Sequence, residues 1–167
     1  YPRLSDYLES NKEILSKRYV AKKSPSSWYK TIDKVKPELI GKNKLLLPDL
    51  AGCKFFFIDE GLYYPHHNLY YITHANLEYL KILGCILMSR FIRQQMMQIG
   101  IKMNGGLPRY QIQTIKKLRI PIIDSMNSSD KQLLIKAYDS QDFITMNRVI
   151  DEYFATYRID YLFSNPH

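Results

Sequence analysis

Residues 102–121 have the sequence KMNGGLPRYQIQTIKKLRIP, which combines a glycine pair, a proline and many cationic and amide side chains. The glycines let the backbone turn tightly or approach a ligand closely, and Pro108 restricts that turn. Between Tyr79 and Ile123 there are eight Lys or Arg residues and no Asp or Glu, a local charge equal to the +8 of the whole chain. Uncompensated positive charge favours a polyanionic partner, with an ordinary solvated basic face as the alternative.

The amide and aromatic residues of this stretch are those that proteins use to read DNA. Gln111 and Gln113 can each pair with an adenine edge, and in an extended segment they would lie on the same side. Arg109 supplies a planar fork for guanine edges and phosphates, and Tyr110 beside it adds an aromatic face. The stretch therefore predicts a nucleic-acid surface.

Two further segments accompany it, KLLLPDL at residues 44–50 and GLYYPHHNLYYI at residues 61–72. With the GGLPRYQIQ core at 105–113 and its KKLRIP tail at 116–121, their order and spacing resemble the TaqI-like C-terminal specificity domain. That family is the target-recognition domain of N6-adenine DNA methyltransferases and of fused restriction-modification enzymes. The resemblance covers about residues 1–122 and, more loosely, the rest of the chain.

The resemblance implies a division of labour within a longer parent protein. A separate catalytic domain, using S-adenosylmethionine, would flip an adenine out of the duplex and methylate it, while this domain binds the double-stranded DNA and reads the site. No cofactor is expected in residues 1–167 themselves. The alternatives from other classes are a specificity subunit of a multi-subunit restriction system, an RNA-binding module, and a protein-docking scaffold.

The expected site residues fall into two groups that contact DNA and one that shapes the loop, and the aromatic Tyr110 is added to the DNA-binding residues. Contacts near base edges are expected from Lys102, Asn104, Arg109, Gln111 and Gln113. Phosphate contacts are expected from Arg93, Lys116, Lys117 and Arg119. The loop would be shaped by Gly105, Gly106 and Pro108.

No catalytic motif is present in the sequence. There is no Asn/Asp-Pro-Pro-aromatic motif, no glycine-rich loop opening a βαβ unit and no Asp/Glu-x-Lys triplet, so we expect the chain to be inert alone. The adjacent His66 and His67 would point to opposite faces of an extended chain, which predicts no metal site. Cys53 and Cys85 are expected to be free thiols, and with no apolar run long enough to span a membrane the protein is expected to be soluble and cytoplasmic.

Apolar spacing predicts an α+β fold in which a small mixed or antiparallel sheet packs with helices. A helix is expected from about Pro2 to Tyr19, a strand at 45–47, a hairpin of 54–58 with 62–64 closing on Gly61, and a strand at 69–73. A helix capped by Asn76 should run to Ile99 and stop at Gly100.

Residues 123–167 are expected to form a C-terminal helical pair, the first helix capped within Ser128-Ser129-Asp130. This part contains four Lys or Arg and seven Asp or Glu. Because it is acidic, it should brace the recognition domain at 1–122, or dock on the rest of the parent, and not lie on DNA.

Overall fold

The computed structural model describes residues 1–31, 35–48, 55–66, 68–100 and 110–164, with side chains described as far as residue 155. Within these ranges the chain forms eight α-helices and a three-stranded antiparallel sheet, which confirms the α+β class. The chain separates into two compact units, Tyr1–Pro37 and Glu38–His167. Among the described residues, none of the helices combines the length and apolar character that a bilayer crossing requires.

The first unit contains three short helices, α1 (Pro2–Ser10), α2 (Lys12–Ser16) and α3 (Tyr19–Lys23), so the prediction of one continuous helix was wrong. The second break lies at Arg18, whose backbone is extended. Its guanidinium donates hydrogen bonds to the carbonyl oxygens of Leu15 at 3.1 Å, Trp28 at 2.7 Å and Lys30 at 3.2 Å. Because the Arg18 side chain bonds to three carbonyl oxygens, it stabilises a bend at this position where the helix would otherwise continue.

The sheet belongs to the second unit, with β1 (Lys44–Pro48) between β2 (Phe57–Asp59) and β3 (Leu69–Thr73). Gly61 has the positive φ expected of it, +94°. The predicted hairpin was nevertheless wrong, because 62–64 is not a strand and β2 pairs with β1 instead. The Asp59 carboxylate accepts hydrogen bonds from the backbone amides of Leu62 at 3.0 Å and Tyr63 at 3.2 Å, which bends the chain away from the sheet.

Two helices follow the sheet, α4 (Leu77–Met88) and α5 (Arg90–Ile99). Asn76 caps α4 as predicted, accepting from the amides of Glu78 and Tyr79. The predicted single helix is interrupted at Ser89, which is extended and caps α5 by accepting from the Ile92 amide. α5 ends at Gly100 as predicted, where an added Cβ would lie 2.4 Å from the Met96 carbonyl oxygen.

The chain then forms the short helix α6 (Ile112–Ile115), a 3-10 turn at Ile123–Ser125, and the predicted C-terminal pair α7 (Ser128–Ser140) and α8 (Phe143–Ser164). The cap of α7 is Asn127, one residue before the predicted Ser128-Ser129-Asp130, and its side chain accepts from the Asp130 amide at 2.8 Å.

One apolar core joins the sheet and helices of the second unit. Its fully buried members include Leu45 of β1, Leu80 and Ile86 of α4, Leu134 of α7 and Ile150 of α8. Residues 123–155 thus pack into the same core as the sheet. The boundary between the two compact units falls between 37 and 38. The predicted division of roles between 1–122 and 123–167 stays a prediction.

Candidate functional site

The predicted site residues, both DNA-binding and loop-shaping, divide into those that the structure describes and those that it does not. Lys102, Asn104, Gly105, Gly106, Pro108 and Arg109 lie outside the described residues. The others lie on two neighbouring segments. Arg93 is on α5, and the remaining six lie in or beside α6, namely Tyr110, Gln111, Gln113, Lys116, Lys117 and Arg119.

Tyr110 lies in the core and is 5% exposed. Its ring meets that of Phe56 edge to face, with centroids 5.3 Å apart. Burial raises the pKa of the Tyr110 phenol, while the nearby positive charge of Arg93 acts in the opposite direction. A side chain buried this deeply offers little surface to DNA, so Tyr110 is best described as the anchor that holds the start of α6 against the core.

Gln111 and Gln113 do not form the extended pair that the sequence predicted. Gln111 is extended and precedes α6, but Gln113 lies within the helix, where residues two apart no longer share a face. Gln113 is exposed and Gln111 half-buried. Thr114, which follows Gln113 in the chain, is buried. Its face of α6 is therefore the one that packs against the protein.

Four of the predicted phosphate-binding cations are exposed, namely Arg93, Lys116, Lys117 and Arg119. In the part of the chain that the structure describes, no carboxylate pairs with any of them. The same basic stretch contains two cations that are paired with the C-terminal helices. Lys81 contacts Asp139 of α7 at 2.7 Å, and Arg90 contacts Asp151 of α8 at 2.5 Å.

Gln95 of α5 fastens the segment after α6 to that helix. Its amide nitrogen donates to the Arg119 carbonyl oxygen, and its amide oxygen accepts from the Arg119 amide, both at 2.9 Å. The donor and the acceptor of the Gln95 amide thus both bond to the backbone of Arg119. This holds Arg119 at a defined place beside α5. Sequence periodicity carries no signal for this contact, because its partners are 24 residues apart.

A cleft of about 910 Å³ lies between α5 and the segment that Gln95 fastens. Polar side chains line it on both sides, Gln94 and Gln98 from α5 and Lys117 and Arg119 from the other segment. Apolar side chains fill the remainder, including Ile99 and Ile120, beside the stacked rings of Phe91 and Phe154. Gln94 and Gln98 were absent from the predicted site, although their spacing of four on a polar helix face was a usable signal.

A buried ion pair fixes the start of the sheet. Lys44 is 0% exposed, and its ammonium lies 2.7 Å from Asp59 while donating to the carbonyl oxygens of Leu39 at 3.0 Å and Lys42 at 2.7 Å. Burial alone would raise the pKa of the Asp59 carboxyl. The hydrogen bonds from Lys44 and from the amides of Leu62 and Tyr63 outweigh it, so that this pKa is lowered. Because both groups are occupied in this way, the pair is structural and not a proton-transfer centre.

The described residues offer little nucleophilic or metal chemistry. Cys85 is buried, its thiol donates to the Leu134 carbonyl oxygen, and burial raises its pKa to about 12, so it is not a thiolate at neutral pH. Within the described ranges no group of three or more His, Cys, Asp or Glu side chains is placed to hold a metal ion.

The chain is similar to part of several type II methyltransferases, and no protein-family model matches it. It is 38% identical over 146 residues to Type II methyltransferase M.BstVI of Geobacillus stearothermophilus. It is 36% identical over 150 residues to M.PaeR7I of Pseudomonas aeruginosa, and 36% identical over 159 residues to M.XhoI of Xanthomonas vasicola. These matches cover 86%, 90% and 95% of this chain.

The chain spans about a quarter of the length of these relatives, namely 26%, 26% and 28%. Its similarity is thus to one portion of proteins named as type II methyltransferases. This agrees with the methyltransferase class that the sequence motifs indicated, and with a chain that corresponds to a part of such an enzyme. The TaqI-like specificity domain, the N6-adenine chemistry and the DNA contacts stay predictions.

Proposed function

We propose that this chain is the DNA target-recognition part of a type II restriction-modification N6-adenine methyltransferase and is non-catalytic by itself. One observation carries the proposal. Arg93, Lys116, Lys117 and Arg119 are exposed on two neighbouring segments, and no carboxylate in the described part of the chain neutralises them. Unpaired cations gathered on one unit are the usual means of holding the phosphates of duplex DNA.

The proposed roles follow the chemistry of each side chain. The four exposed cations bind phosphates and set the register, which carries no sequence information by itself. Gln111 and Gln113 approach base edges, together with Lys102, Asn104 and Arg109, which lie outside the described residues. Tyr110 supports α6 from the core.

The rest of the parent protein supplies the chemistry. A catalytic domain in the same chain would bind S-adenosylmethionine and methylate an adenine taken out of the stack, while this part holds the duplex. The ion pairs of α7 and α8 with Lys81 and Arg90 support a bracing role for the C-terminal helices. An enzyme of this kind acts on DNA in the cytoplasm.

The phosphate-binding role is tested by the salt dependence of binding to duplex DNA. Replacing Lys116 by alanine should weaken binding to all sequences alike and reduce the slope of log affinity against log salt by about one. Fluorescence anisotropy over a salt series measures both quantities. Lys136→Ala removes an exposed lysine of α7 and is the matched control, expected to leave the slope unchanged. Equal slopes for the two variants would contradict the proposal.

The base-reading role is tested at Gln111. Its replacement by alanine should cost ~1–3 kcal/mol of binding to the preferred site and relax the choice of sequence. Binding to a panel of single-base variants of that site measures the effect, and Gln132→Ala on α7 is the control. An unchanged ranking of sites would show that Gln111 is not a base-reading residue.

A protein-docking function is favoured by a different observation. Leu62 and Tyr63 are 80% and 70% exposed, and the hydrogen bond from the Gly41 amide to the Gly61 carbonyl oxygen brings the exposed Ile40 to the same end of the unit. Exposed apolar side chains of this kind are common at protein interfaces. Binding of that sort would show no steep dependence on salt, which separates it from DNA recognition.

A further inference from the structure

The cleft beside α5 has two chemically different polar walls. Gln94 and Gln98 line one wall from α5 and, being four residues apart, lie on one face of the helix. Lys117 and Arg119 line the other. Amide groups and cations therefore face the same space, which is the pairing needed to hold a nucleic-acid strand by its phosphates while reading its bases.

The amides of Gln94 and Gln98 are free to bind a ligand. Both side chains are exposed, and neither has a hydrogen-bond partner in the described part of the chain. Each carries a donor and an acceptor, the combination that pairs with the N6 and N7 edge of adenine. Gln95 between them is different, because both of its amide atoms are already bonded to Arg119.

The backbone that carries the cationic wall is held at Arg119 before any ligand binds. Since Gln95 holds the Arg119 backbone by two hydrogen bonds of 2.9 Å, the segment need not be ordered when DNA arrives. A preformed wall lowers the entropy cost of binding. The isoleucines Ile99 and Ile120 complete the cleft with apolar surface suited to a sugar or a thymine methyl group.

We infer that Gln94 and Gln98 are base-reading residues of this cleft, with Lys117 and Arg119 holding the phosphates of the strand beside them, and that Gln95 is the positioning residue for that cationic wall. The inference rests on the proposed DNA-recognition function and extends it to residues outside the site that the sequence predicted.

The first experiment compares site preference with general affinity. The preferred duplex is selected from a pool with a randomised core by using the unmodified chain, and binding is then measured for the Gln94→Ala, Gln98→Ala double variant. Affinity for the preferred duplex should fall roughly tenfold or more, while affinity for unrelated duplexes and the salt slope stay unchanged. Alanine favours helices, so α5 should be retained, and circular dichroism checks it. Lys117→Ala should give the opposite pattern.

The second experiment tests Gln95 through a double-mutant cycle with Arg119. Gln95→Ala should weaken binding to all duplexes, but much less so when Arg119 has already been replaced by alanine. Gln95→Glu keeps the acceptor and loses the donor, so it should also weaken binding. A general loss of stability would give additive effects instead, and additivity would contradict the positioning role.

The outcomes separate the inference from the function on which it rests. If the unmodified chain selects a duplex but the Gln94, Gln98 double variant ranks sites in the same order, the inference fails and DNA recognition stands. If the unmodified chain binds no duplex DNA even at low salt, both fail together.

Discussion

At the scale of single residues, Lys44 is a charged side chain with no exposed surface, so its position must be supported by bonded partners. An ammonium with 0% exposure is compensated by Asp59 and by two carbonyl oxygens, those of Leu39 and Lys42. Such a pair is of little net benefit compared with an apolar replacement, but removing one partner leaves the other charged and buried. The pair joins the end of β2 to the first residue of β1.

Replacing Lys44 by methionine should therefore lower the free energy of unfolding by about 3–5 kcal/mol, measured by urea denaturation. The second substitution Asp59→Asn keeps an acceptor for the Leu62 and Tyr63 amides and removes the uncompensated charge, so it should restore part of the loss. Lys42→Met, at an exposed lysine, is the control and should stay within about 0.5 kcal/mol. An equal effect of the Lys44 and Lys42 substitutions would show that the buried pair is not what stabilises this region.

Tyr110 and Gln95 support the proposed recognition surface without belonging to its exposed part. Tyr110 packs against Phe56 in the core and anchors the start of α6, and Gln95 binds the Arg119 backbone by two hydrogen bonds. Neither needs to touch DNA to affect binding. A substitution at either position would act by displacing its exposed neighbours.

At the scale of elements, the interruption between α4 and α5 decides what is exposed. α4 is buried along almost its whole length after Leu80, whereas α5 buries Ile92 and Met96 and leaves a polar face. A helix that is apolar on all sides belongs in the core, and an amphipathic one belongs at its edge. The extended backbone at Ser89 ends the buried helix α4 and begins the amphipathic helix α5 in a new direction.

The turn after β2 depends on a close approach of two glycines. Both have positive φ, +80° at Gly41 and +94° at Gly61. A Cβ on Gly61 would lie 2.6 Å from the Gly41 backbone, whereas one on Gly41 would meet nothing within 4 Å.

Alanine at Gly41 should therefore cost about 1–2 kcal/mol of stability from backbone strain alone. Alanine at Gly61 should lower the stability further, because the backbone segments around Gly41 and Gly61 must also move apart. Thermal unfolding of both variants measures the difference, and equal losses would mean that the close approach adds nothing to the strain.

At the scale of the whole molecule, the positive charge available to a ligand depends on which cations form ion pairs as well as on where they lie in the sequence. Lys81 and Arg90 belong to the same acid-free stretch as Lys116, but Asp139 and Asp151 of the C-terminal helices neutralise them. The acidic helices therefore neutralise one cation of α4 and the first residue of α5, and leave Arg93 of α5 and the cations at and after the end of α6 without a carboxylate partner among the described residues.

This distribution predicts that Lys81→Ala and Arg90→Ala will leave the salt slope of DNA binding nearly unchanged, because each cation is already paired. Lys116→Ala should reduce it by about one. Anisotropy titrations over the same salt series compare the three variants. Equal reductions at all three positions would mean that pairing with α7 and α8 does not withdraw Lys81 and Arg90 from the DNA surface.

Features that depend on a few neighbouring residues could be predicted from the amino-acid sequence. These include the Asn76 cap, the positive φ of Gly61, the end of α5 at Gly100 and the α+β class, because caps, turns and apolar periodicity act over a single helical turn or strand. Other features became visible only in the folded chain. They are the pairing of β2 with β1, the burial of Lys44 and Tyr110, the hydrogen bonds of Gln95 to Arg119 and the ion pairs of Lys81 and Arg90. Each of these is a contact between residues distant in the chain, and local pattern does not specify which distant group will satisfy a buried polar atom or pair with an exposed charge.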